Sequence, residues 1–473
     1  MPPLLDVGGS DAGRRMQRDW RDNIVTAGDA ASVAGVNAFV HGLLAYETTA
    51  VQVMEAADAD ADCALANAYA AIAWLFLESP QGVVRARPYL ARAEAAAPRA
   101  TERERLTVAV ARAWADGDIP RVRALGEDAA GRFPRDLALA KITQYHHFNL
   151  GDAPGLLRIA SRVLPANDDL AYAHGMIAFG YEQCHLLVEA EQAARAAIRR
   201  RRKEPWAHHA LAHVLLTQGR NDEGRAFLDE MKETWTGLNS FMLTHNWWHL
   251  SLVMIEQGDA ARVLDHYETH IWGVWKAYSQ DQIGAVSLLA RLELAGVDVG
   301  DRWQDLADHL APRVDEHVQP FLDMHYLYGL ARAGRRQADT MLESLRAHAD
   351  SAPDFVRPVW REVALPASEG LLAHARGDWA GCVRALLPAL PRLSEIGGSH
   401  AQRDLFEQIA DDALIRAGKL AVAQNRLEQR RAGGTGSVPT MARLAAVYRA
   451  LGLPEQAARV AAGVASCRPG NSP

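Results

Sequence analysis

Two histidine pairs carry the clearest chemical signal. His209 and His213 in "WAHHALAHVLLTQG" are four residues apart, as are His245 and His249 in "THNWWHLSLVMIEQGD". On a helix an i, i+4 pair shares one stripe, with Cβ atoms roughly 5–6 Å apart. Imidazoles at that separation can share a divalent metal. They can equally serve as a base and the partner that orients it, because histidine's unperturbed pKa lies nearest neutrality. Both readings stand on the residues alone. The glutamate of the zincin H-E-x-x-H pattern is missing, which argues against a metalloprotease.

Other polar residues could join these four. "PFLDMHYLYGLARAG" carries Asp323 as a candidate orienting carboxylate, and His325 and Tyr328 on one helical stripe. Trp248 shares the stripe of His245 and His249, so Trp248 and Tyr328 are candidate walls of a pocket. Asp281, near the start of a helix in "YSQDQIGAVSLLARLELAG", is either a cap or a binding residue. In "EIGGSHAQRDLFEQ", Ser399 and Gln402 have capping-box spacing. A helix start behind two glycines, with Arg403 beside it, would also suit a carboxylate or phosphate. No nucleophile stands out, since there is no G-x-S-x-G and no cysteine beside a histidine.

The elements that must position these residues are helices in a repeat. Turn signals recur at Gly117, Gly151, Gly219, Gly258, Gly334, Gly377, Gly418 and Gly452. Gly117 to Gly151 is 34 residues, two further steps of 34 pass through His185 to Gly219, and Gly418 to Gly452 is again 34. That period marks the tetratricopeptide repeat, a helical hairpin that stacks into a right-handed superhelix. Small residues fall seven before the turn (Ala178, Ala212, Ser251, Gly370, Ala445) and bulky ones four before it (Tyr181, Leu215, Met254, Leu330, Tyr448). The expected fold is an all-α solenoid with no strands. Residues 1–100 read as loosely repeat-like helices, 101–465 as the array and 466–473 as a disordered tail. In this register His209, His213, His245 and Trp248 look into the concave groove, and His249 sits on its shoulder. Trp247 and Ser251 take packing positions.

Composition narrows the partners. The net charge is −7, so the whole chain has no attraction for nucleic acid or an anionic membrane. The basic run Arg199–Lys203 falls where a helix ends and faces water there. Cys63, Cys184, Cys382 and Cys467 are isolated, which fits a reducing compartment. No signal-peptide pattern or bilayer-length apolar run is present, so a cytoplasmic setting is expected.

Several motifs together resemble the tetratricopeptide repeat protein 38 family. They are W-x-x-H-x-x-x-H at 206–213, HNWWH at 245–249, Y-x-THI at 267–271, RWQDL at 302–306, D-x-H at 323–325 and GGSHAQRD at 397–404. The resemblance runs from about residue 100 to beyond 410 and is looser before that. It implies the repeat fold and a cytosolic setting, names no substrate, and adds Asp404 to the residues singled out. His208 and His400 lie outside its pattern. The expectation is a concave pocket binding a small molecule, with hydrolase, lyase or isomerase acid–base chemistry and a histidine-bound metal as a variant. The alternative is a scaffold that takes a peptide or partner protein in an open groove.

Overall fold

In the computed structural model residues 15–432 and 437–466 are described; residues 433–436, Cys467 and the remainder of the expected tail lie outside them. The recurring turn works as its chemistry requires. The eight turn glycines adopt φ between 68° and 81°, the left-handed region that costs glycine nothing. Where the period meets His185 instead, that residue takes φ 58°. After Gly117, Gly151 and Gly377 comes an aspartate whose carboxylate accepts the N–H of the residue three further on, at 3.1, 2.9 and 2.8 Å. Each Gly-Asp pair therefore ends one helix and caps the next.

The chain forms two compact units, residues 1–77 with 81–140, and residues 78–80 with 141–473. The first contains the one departure from the all-helical expectation among the described residues. Strands Arg15–Arg18 and Ile24–Ala27 pair antiparallel, with Arg15 opposite Ala27. They had no legible signal because each is only four residues long. The turn between them is held by Asp19, which accepts the N–H groups of Arg21 and Asn23, both at 2.9 Å.

The second unit is the hairpin array. Pro205–Thr217 and Ser240–Glu256 are successive first helices of hairpins, each answered by a helix after its turn glycine. The first begins on a proline whose missing N–H needs no partner, and the second on Asn239, which caps Met242 N at 3.0 Å. The unit curls until distant segments touch. A Cβ on Gly397 would lie 2.6 Å from the Asn149 carbonyl oxygen, so only glycine fits that approach. The helix His400–Arg416 occupies the hollow. Its start lies against Pro205–Thr217 through His400 and Thr217 (3.1 Å). It meets Ser279–Leu294 through Arg291 and the Ala401 carbonyl (2.7 Å), and Pro320–Arg332 through Phe406 and His325 (5.1 Å between rings). No helix of the described residues is long and apolar enough to cross a membrane.

Candidate functional site

The two histidine pairs meet. His209 and His213 project from Pro205–Thr217 towards His245 and His249 on Ser240–Glu256, and five of the ring pairs have centroids 4.5–4.9 Å apart. His209 Nε2 lies 3.1 Å from His245 Nε2 and 3.0 Å from His213 Nε2. One nitrogen from each ring lies within 4.8 Å of the others, and all four residues are buried. Trp248 stacks on His245 with centroids 5.2 Å apart and planes 10° from parallel, but it is not among the residues lining the small cavity beside that ring. Trp247 and Ser251 take their packing roles: Trp247 stacks on His270 at 3.7 Å, and Ser251 bonds His266 Nδ1 at 3.0 Å.

These imidazoles cannot satisfy one another. A neutral ring nitrogen carries either a proton or a lone pair, so His209 Nε2 cannot donate to one neighbour while accepting from the other. His209 Nδ1 and both nitrogens of His249 are buried with no hydrogen-bond partner. Burial, together with repulsion from the neighbouring rings, holds the pKa values of His209 and His249 well below the usual value and that of His245 down to about 3. Burial lowers His213 as well. Lowered pKa values favour the neutral form of all four rings, and neutral imidazoles with converging nitrogens are a donor set that suits zinc, copper, iron or nickel.

A carboxylate stands behind it. Glu182, fully buried on Ala171–Gln183, lies 3.3 Å from His213 Nδ1 and 2.7 Å from His400 Nε2. Burial works against its charge, but the pull of His400 and His213 prevails and keeps the carboxyl ionised, far below the usual range. A carboxylate on the outer nitrogen of a histidine is the arrangement that orients a metal ligand. Sequence reasoning missed Glu182 and set His400 aside, although a signal existed. Three residues before the turn the repeats place Trp114, Phe148, Leu216, Ile255, Ala331 and Ile415, whereas Glu182, His374 and Arg449 break the apolar series.

A small cavity of about 40 Å³ reaches the centre, with His209 and His245 in its lining. Phe148, Trp206, Phe241 and Phe321 supply apolar surface, and Gln280, Gln319 and Gln402 supply amides. Beside it Glu78, buried and held at φ 50°, accepts from Tyr145 Oη (2.5 Å), Ser279 Oγ (2.9 Å) and Gln280 Nε2 (2.5 Å).

Of the other predicted residues, Ser399 and Gln402 line the cavity, and the rest serve elsewhere. Asp281 is no cap, since the helix start falls at Tyr278; it accepts from Ser240 Oγ, Thr244 Oγ1 (3.2 Å) and Trp275 N (3.2 Å). Asp323 pairs with His317 Nδ1 at 2.6 Å, and His325 Nδ1 donates to the Phe321 carbonyl at 2.8 Å. Tyr328 walls no part of the cavity; its hydroxyl meets His374 Nδ1 at 3.1 Å, and His374 Nε2 meets Asp412 at 3.1 Å. Ser399 and Gln402 form the capping box, which uses the N–H groups an anion would need. Arg403 is turned onto the Gly397 and Gly398 carbonyls instead of towards an anion. Asp404 is an ion-pair hub for Arg291 (3.2 Å) and Arg430 (2.7 Å). Glycines 397 and 398 are close-packing positions: a Cβ on Gly398 would lie 2.5 Å from the Phe321 ring.

No protein-family model matches the sequence. Similar solved structures include the human IFIT1 dimer with m7Gppp-AAAA, at 12% identity over 92% of this chain and 89% of that one (TM-score 0.37). Naa15/Naa10 bound to HypK-THB is 15% identical over 84% of this chain and 64% of that one (TM-score 0.24). The P58(IPK) TPR domain is 10% identical over 79% of this chain and 94% of that one (TM-score 0.20). From its own helical hairpins and their turns, the chain has a tetratricopeptide-like all-α solenoid fold.

Proposed function

We propose that this protein binds a divalent transition metal through His209, His213, His245 and His249 and uses the centre on a small polar molecule. The observation that carries the reading is that four buried rings each offer a nitrogen within 4.8 Å of the others, while His209 Nε2 cannot bond both of its neighbours and neither nitrogen of His249 has a partner. Such orphaned polar atoms cost about 1–3 kcal/mol each unless something meets them. Glu182 supplies the buried negative charge that a dication needs nearby, and it orients His213. The cavity touching His209 and His245 marks the side from which a ligand reaches the centre. A bound metal supplies Lewis-acid polarisation, which suits hydrolysis, elimination or isomerisation.

The scaffold alternative has less support, because the helix His400–Arg416 already lies in the hollow a peptide would use. The test is to incubate the purified chain with zinc, dialyse, and measure retained metal by mass spectrometry. About one ion per chain is expected, lost in His213→Ala and His249→Ala variants whose helical circular dichroism is preserved. Equal retention by folded variants and the parent would refute the assignment.

A further inference from the structure

A second cluster, sharing no residue with the quartet, joins three side chains in the order used for acyl transfer. His317 lies in the turn before Pro320–Arg332. Its Nδ1 is 2.6 Å from Asp323 Oδ2, and its Nε2 is 2.7 Å from Ser344 Oγ on Gln337–Ser351. A carboxylate at Nδ1 keeps the ring proton there and leaves the Nε2 lone pair facing the serine hydroxyl, which is the tautomer a general base requires. The ring is clamped by His348, stacked at 4.7 Å, and by the edge of Trp360 at 6.1 Å. His317 is held at φ 46°, a conformation that costs a side-chain-bearing residue energy and persists only where its surroundings demand it. Asp323 is buried, while Ser344 is only half-buried and within reach of a solute.

We propose that Ser344, His317 and Asp323 form a nucleophilic site that hydrolyses small, activated carboxylic esters. Ser344 Oγ bonds to the ester carbonyl carbon as its proton passes to His317 Nε2. The carbon–alkoxy bond then breaks, and the departing alcohol takes that proton. Water attacks the acyl-serine and gives a proton to His317. The bond to Ser344 breaks, the serine oxygen is reprotonated from His317, and the carboxylic acid leaves. Asp323 acts through His317 and is a positioning residue.

The substrate class follows from the oxyanion donor. Ser344 lies inside a helix whose N–H groups are already bonded along the chain, so no pair of backbone amides is free for the oxygen. The side chain one turn on, on the same face, is His348, kept neutral because burial and the adjacent His317 push its pKa down to about 4. A neutral imidazole has one N–H to offer the oxyanion. One side-chain donor in place of a backbone pair gives a smaller acceleration, which restricts turnover to esters with good leaving groups.

The test uses the full chain with p-nitrophenyl acetate and, separately, a fluorophosphonate probe located by peptide mass spectrometry. The probe is expected on Ser344, and Ser344→Ala should retain its melting temperature while losing the label and the hydrolysis. His317→Gln should lower kcat about 100-fold or more, and Asp323→Asn should lower kcat with KM unchanged. A merely structural aspartate would lower stability without that split. Chelators should leave this activity intact, which separates it from the proposed metal centre. Absence of label on Ser344 in the folded protein, or hydrolysis persisting in Ser344→Ala, would overturn the proposal.

Discussion

The two units each bury a polar cluster, and the clusters are finished differently. In the first unit Arg103 bonds Asp136 Oδ2 at 2.7 Å and the Ile24 carbonyl at 3.0 Å, and lies 3.7 Å from Asp19. Glu104 accepts from Thr26 N (2.8 Å), Thr26 Oγ1 (2.9 Å) and Thr101 N (2.7 Å). Burial opposes the Arg103 charge, but Asp136 outweighs it and lifts the pKa above its ordinary value. These groups meet their needs from within the chain, and the network ties the short strands to the helix Glu102–Ala115. In the second unit four imidazoles are brought equally close and left with nitrogens facing one another. Closeness alone therefore does not mark a functional centre. The proposed metal site rests instead on incomplete satisfaction of several converging nitrogens at one point, which a bound ligand would complete.

The largest effect expected from this contrast is at Arg103. Arg103→Ala strands the Asp136 and Asp19 carboxylates in the interior and should cost about 3–5 kcal/mol in urea denaturation. A cost below 1 kcal/mol would mean that the network is slack and the contrast false.

Acid should weaken the second unit by a different route. Burial pushes the pKa values of His208, His245 and His325 down to about 4, 3 and 4, from 6.5. The unfolded chain takes up these protons below pH 6.5 and the folded chain does not, so stability present at neutral pH is lost as pH falls. Asp281 and Asp323, raised to about 6 by burial, act oppositely, since the folded state holds their protons between about pH 6 and 3.8. Imidazoles outnumber carboxylates here, so metal-free protein should lose on the order of 2–3 kcal/mol between pH 7 and 5. Thermal melts across that range check the sign.

Glu182→Gln probes the carboxylate behind His213 and should weaken zinc binding about 10–100-fold by calorimetry. Unchanged affinity would reduce Glu182 to an anchor for His400. The smallest effect is the most discriminating. His249→Leu removes two orphaned nitrogens at similar volume, so metal-free protein should be unchanged or gain about 1 kcal/mol while zinc uptake falls. Marked destabilisation would place His249 with the self-satisfied residues.

Much of the scaffold was legible because it is local. Gly-Asp turns, small residues seven before them and prolines opening helices act over a few residues, so their spacing reports the hairpin directly. The convergence of His209 and His213 with His245 and His249 was also legible, since adjacent repeats present equivalent positions to one hollow. The fate of Asp323, Tyr328, Arg403 and Asp404 was not. Tyr328 was assigned by helical face, Asp323 as an orienting carboxylate, Arg403 by its place at a helix start and Asp404 by resemblance, and each is taken by a nearer partner: His374, His317, two glycine carbonyls, and Arg291 with Arg430. The four-residue strands were likewise too short for any period to register.

By itself, then, the amino-acid order determined the all-α repeat, its register and the pairing of two imidazole stripes, because backbone periodicity and turn chemistry are short-range. Only the tertiary structure decided that the array curls around its own helix His400–Arg416. The same closure sets Glu182 between His213 and His400, and folding places Ser344 on His317. Such contacts depend on small rotations accumulated over many hairpins and on close approaches such as Gly397 to Asn149. No window of sequence contains that sum.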